Sequence, residues 1–143
     1  MKLNITDEQI KDIAEILDTP MDCYYNLKTG EVLEIPSEEV LMFDESELWE
    51  EMFIEFSAIR EDCVQFHKIS SSESYQLMAK FADTVDDESF RIKLKTALEF
   101  AKPFKNFKKL IDHSDYREQW FEFKMEGKIE AVKRQIEALN EEM

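Results

Sequence analysis

The chain has 143 residues, the size of one domain and enough to bury a core without disulfide or metal support. A hydrophobic content of 43% excludes a disordered composition, and two glycines with three prolines exclude a loop-rich one. The net charge of -15 is uneven: residues 1–90 carry 23 acidic and 6 basic side chains and would repel nucleic acid and anionic lipid, whereas residues 91–134 carry 7 and 12.

Thr6, Asp7, Glu8 and Gln9 open the first predicted helix, with Thr6 and Gln9 spaced as a capping box and Ile5 and Ile10 as a hydrophobic staple. Ile10, Ile13, Ala14 and Leu17 recur on one face, and Pro20 follows, so the helix runs from about Asp7 to Leu17. From Cys23 to Ile35, aromatic and β-branched residues flank a turn ending at Gly30, which predicts a β-hairpin closed by Pro36. Residues 37–46 read as an acidic loop, with Asp44 or Ser46 capping the next helix. That helix carries Leu48, Trp49, Met52, Phe53, Phe56 and Ile59 as an apolar stripe. Val64, Phe66 and Ile69 suggest a third short strand.

From Ser70 onward the pattern is helical. Ser70 to Glu73 is a second capping-box pattern, followed by Tyr75, Met78, Ala79, Ala82 and Val85. Asp86, Asp87 and Glu88 mark the next start, with Phe90, Leu94, Ala97, Leu98 and Ala101 on one face. Pro103 opens a further helix whose expected buried set is Phe104, Phe107, Leu110 and Ile111. His113 to Asp115 breaks the chain. A long last helix then runs from about Tyr116 to Asn140, with a stripe of Trp120, Phe121, Met125, Ile129, Val132, Ile136 and Leu139.

The expected fold is therefore α+β: a small antiparallel three-stranded sheet, made of the hairpin plus one strand, packed by about six helices. Residues 1–143 are expected to form a single domain, mixed α/β over 1–70 and helical over 71–143. Met1 to Thr6 lacks the apolar run of a secretory signal, and no segment approaches the ~20 apolar residues of a membrane span. With Cys23 and Cys63 isolated, a cytoplasmic protein with reduced thiols is expected.

Several stretches also resemble a known family. Ala97-Leu98, the phenylalanine-rich basic segment Phe104-Lys105-Asn106-Phe107-Lys108, and Arg117-Glu118-Gln119-Trp120-Phe121 with Phe123 are its carriers. Tyr75, Met78, Phe81 and Val85 fit the preceding helix, and Tyr25 with Thr29-Gly30-Glu31-Val32 fits the hairpin. The pattern is similar to the uncharacterised protein family 0158, small bacterial proteins of unassigned function. It departs from that pattern at Phe100-Ala101-Lys102-Pro103, where the family has a glycine-rich turn, and at Lys105-Asn106, where it has paired arginines. The resemblance implies a bacterial, cytosolic, single-domain protein and assigns no catalytic residue.

The residues themselves offer little enzymology. His67 and His113 form no H-x-x-x-H spacing, and Cys63 and His67 in an extended strand would lie roughly 13 Å apart. No calcium-loop or phosphate-loop pattern occurs among the acids and glycines. A non-enzymatic protein without cofactor or metal is the expectation. Its candidate ligand or partner surface is the one basic patch: Arg91, Lys93, Lys95, Lys102, Lys105, Lys108 and Lys109, with Arg117 alongside. The partner class left open is a protein; nucleic acid is disfavoured by the total charge, though phenylalanines among lysines can in principle stack bases. The runner-up is an acidic interaction protein engaging a basic partner through residues 1–90, and an enzyme is third. The last helix could also pair two copies as a homodimer.

Overall fold

The computed structural model describes residues 3–43 and 47–142. Seven helices and three strands occur among them: α1 (Asp7–Leu17), β1 (Asp22–Asn26), β2 (Val32–Ile35), α2 (Glu38–Phe43), α3 (Glu47–Ile59), β3 (Cys63–Phe66), α4 (Ser71–Thr84), α5 (Glu88–Glu99), α6 (Pro103–Asp112) and α7 (Arg117–Glu142). A single 3-10 turn, Arg60–Asp62, leads into β3. The α+β class and the three-stranded antiparallel sheet are as the sequence predicts. The chain divides into two compact units, one of residues 1–68 with 129–143 and one of residues 69–128.

The first unit is built on the sheet, in the order β2-β1-β3. β1 pairs antiparallel with both neighbours, Tyr24 lying opposite Leu33 on one side and Gln65 on the other. Gly30 takes φ +73, so the turn needs a residue without Cβ strain, as the sequence indicates. Asn26 builds the rest of the turn: its Oδ1 accepts from the N–H groups of Lys28 (2.9 Å) and Thr29 (3.2 Å), and its backbone bonds Gly30 and Glu31.

Helices cover both faces of this sheet, where the sequence required only one. Side chains alternate along a strand, so Tyr24, Leu33, Ile35 and Cys63 share a face, which Phe56, Met52, Phe53 and Ile59 of α3 and its end fill. Cys23 and Tyr25 point the other way, toward α1, which packs on β1 and β2. α1 starts on the Thr6–Gln9 capping box, complete in both directions, and buries Ile10, Ile13, Ala14 and Leu17.

The end of α7 belongs to the same unit. Ala131 and Val132 are buried there, the Gln135 amide bonds both the N–H and the C=O of His67, and Asn140 Oδ1 accepts from Leu3 N–H at 2.6 Å. Residues 38–43, expected as loop, form α2: Ser37 Oγ accepts from Val40 N–H and two glutamates fill the first turn. The predicted caps Asp44 and Ser46, and the Leu48 side chain, lie outside what the structure describes.

The second unit is helical. α4 is capped by Ser70, α5 by Asp87, and α6 begins with Pro103 in its first turn. Its core joins Phe81, Ala82, Val85, Leu94, Leu98, Phe107 and Ile111. Trp120 meets Phe81 and Phe107 edge-on, with centroids 5.4 and 5.0 Å away, and Phe90 stacks on Tyr116. Tyr75 donates its hydroxyl to Leu98 C=O and ties α4 to the end of α5. Gly127 of α7 lets Leu77 of α4 come so close that an added Cβ would lie 2.6 Å from it.

Four residues expected on buried faces are exposed, Tyr75 among them at 37%. Ala101 is exposed in the turn after α5, Phe104 is 39% exposed and Phe121 is 53% exposed. Ala101 lies past the end of α5; for the others the helical spacing is right but the stripe is drawn too wide. Phe107 and Ile111 already saturate the inward face of α6, and Phe123 rather than Phe121 packs against the core.

Candidate functional site

The basic residues singled out from sequence cluster on α5 and α6, two neighbouring helices that pack directly on each other. From Arg91 to Lys109 there are seven basic residues and one acid, Glu99. They do not all serve the same end. Arg91 Nη1 donates to Val85 C=O at 3.0 Å and braces the turn before α5. Lys95 pairs with Asp83 of α4, and Arg117 Nε lies 3.8 Å from Asp112. Lys102 is the residue before α6 and takes φ 57, a left-handed conformation held by Asn106, which bonds Ala101 and Lys102 carbonyls. Lys93, Lys105, Lys108 and Lys109 are exposed and make no ion pair among the described residues.

Two of these four, Lys93 and Lys109, stand on opposite walls of a shallow groove of about 480 Å³. Its floor and walls are Ile92, Thr96, Ala97 and Phe100 of α5 and its end, with Asn106 and Leu110 of α6. Ile92 is 55% exposed and Phe100 64% exposed. Leu94 and Leu98 commit the opposite side of α5 to the core, so Ile92, Thr96 and Phe100, four residues apart each time, form a bare row. Scattered apolar residues on a surface mean little, but large apolar residues grouped in a groove between lysines are an interaction signature. The charge pattern of the sequence marks the lysines but not Ile92 and Phe100. The available signal was that both fall off the Leu94–Leu98 face while remaining large and apolar.

The other candidates resolve into structure. The Trp120 ring is taken up by Phe81 and Phe107. His67 has both backbone groups bonded by Gln135, and His113 caps the C-terminus of α6. Cys63 Sγ donates to Ile59 C=O at 3.4 Å. Burial pushes the Cys23 thiol up to about 12, with Glu34 adding to the effect, and burial also raises Cys63, so both thiols stay protonated at neutral pH. In the sheet unit, Asp12, Glu15 and Glu34 edge a second hollow between α1 and β2, of about 430 Å³. Among the described residues no three His, Cys, Asp or Glu side chains converge as metal ligands, and no helix is long and apolar enough to cross a membrane.

The capped helices, the hairpin and the aromatic cluster around Trp120 form one continuous pattern, and the sequence model of uncharacterised protein family UPF0158 matches residues 3–142. The chain belongs to UPF0158. The resemblance seen in Phe104–Lys108 and Arg117–Phe121 thus extends over almost the whole length. No curated protein and no solved structure matches this UPF0158 chain.

Proposed function

We propose that the protein is a non-enzymatic cytoplasmic binding protein that receives its partner on the groove between α5 and α6. The observation that carries the reading is the bare row Ile92–Thr96–Phe100 set between Lys93 and Lys109. Groove-shaped apolar surface with a charged rim combines burial, which supplies affinity, with charge, which supplies orientation and speed of encounter. Cys23 and Cys63 are free thiols, the form a reducing compartment maintains.

The test is backbone amide shift mapping of the 15N-labelled chain against three probes: an acidic amphipathic peptide, inorganic polyphosphate and a dT20 oligonucleotide. The expected result is a contiguous set of shifts in α5 and α6 for at least one probe, abolished in a Lys93→Glu/Lys109→Glu variant. Shifts confined to the sheet unit, or none with any probe, would refute the reading.

A further inference from the structure

We infer that the occupant of the groove is an acidic amphipathic helix of a partner protein, a conclusion that rests on the binding reading above and names its ligand. The spacing argues for a helix. From Ile92 on α5 to Phe100 just past its end is eight steps along the chain, about 12 Å or roughly two helical turns at 1.5 Å per residue. A partner helix lying along that row presents its own apolar side chains at the same i, i+4 interval, the arrangement of helix-in-groove recognition.

The rim argues for acid. Lys93 on one wall and Lys109 on the other are exposed and make no ion pair among the described residues. Carboxylates flanking the partner's apolar stripe would meet this rim from both sides.

The same features argue against a polyanion. Phe100 is the single aromatic residue lining the groove, whereas single-stranded nucleic acid is held by successive stacking platforms along a charged track. The whole chain carries a net charge of -15, which opposes approach of a long phosphate backbone. A short acidic helix brings few charges and binds by covering Ile92 and Phe100. Each exposed ion pair adds little by itself, so the apolar contact dominates.

The experiment uses the full chain and a fluorescent helical peptide of about 18 residues, long enough for five turns, with leucines at i, i+4, i+7 and i+11 and glutamates flanking them. Two counterparts replace the leucines by alanine or the glutamates by glutamine, and dT20 and inorganic polyphosphate complete the set. The leucine–glutamate peptide is expected to bind, with affinity falling at least ~10-fold in Ile92→Asp and in Phe100→Ala and on loss of the leucines, as removal of a central apolar anchor does. Loss of the glutamates should weaken it several-fold, and raising salt from about 50 to 200 mM should cost less than ~10-fold, against the ~10³-fold or more of a many-phosphate contact. Ile92 and Phe100 are exposed, so both variants should keep the wild-type unfolding midpoint.

Equal binding of the alanine peptide would overturn the inference, because charge alone would then suffice. Binding of dT20 or polyphosphate at the groove with no peptide binding would also overturn it, while leaving the binding surface in place. Silence of every probe would remove both.

Discussion

The two units of this chain solve different electrostatic problems. The sheet unit holds 22 acidic and 7 basic residues and so carries the whole net charge of -15, whereas the helical unit holds 11 of each. Self-repulsion in the first is met with directed polar fixtures. Asn26 knits the hairpin, Arg60 bonds Tyr24 Oη at 3.2 Å and lies over the Tyr24 and Phe56 rings, and Gln135 and Asn140 fasten the last helix to His67 and Leu3. The second, freed from net charge, relies on aromatic packing around Trp120. A charge-balanced unit can leave apolar residues such as Ile92 and Phe100 bare beside lysines and direct its local field at a ligand.

The sharpest way to break this contrast is Phe107→Ala. Phe107 is fully buried against Trp120, and its loss should cost about 3–5 kcal/mol through lost burial and a cavity. Hydrogen exchange should show protection falling in α4 to α6; equal loss in every strand and helix would erase the distinction between the units.

Asn26→Ala tests the polar side. Leaving Lys28 and Thr29 N–H groups without their acceptor should cost about 1–3 kcal/mol, read as a lower urea midpoint. Lys102→Gly should move stability the other way by about 1 kcal/mol, since a left-handed residue with a Cβ carries roughly that penalty and glycine does not. An unchanged midpoint would show that the turn after α5 relaxes.

Smaller still, added salt should raise protection in β1–β3 more than in α4–α6 by screening like charges. The last effect concerns alkaline pH. The Cys23 thiol ionises at an ordinary 9.0 when unfolded but only near 12 when folded, so its contribution is intact below 9.0 and is lost as pH rises toward 12. The urea midpoint of the wild type should therefore fall more steeply above pH 9.0 than that of Cys23→Ala.

Local signals were legible and nonlocal ones were not. The Thr6 box, the Gly30 turn, the Ser70 and Asp87 caps and Pro103 each act within four residues, and each stands where the sequence places it. α2 is hidden in the sequence although Ser37 with Glu38 and Glu39 is a short helix start, because the surrounding acids resemble a loop. Phe104 and Phe121 sit at inward-looking spacing yet stay exposed, because helical spacing marks a stripe but not how much of it a neighbour covers. The same ignorance hid the groove: whether Ile92 and Phe100 are roofed depends on where α6 lies, which no local pattern encodes. Nor does the order of elements reveal that residues 129–143 join the sheet unit.

The Gln135 contact has one more consequence. β3 is an outer strand of the sheet, and an outer strand offers open peptide groups on which a stray chain can template itself. By offering an amide donor and an amide acceptor to the peptide groups of His67, just past β3, a helix side chain imitates the next strand for the length of one residue beside that edge. Replacing that carboxamide with a group of the same length that cannot do both would reopen the border to its own kind.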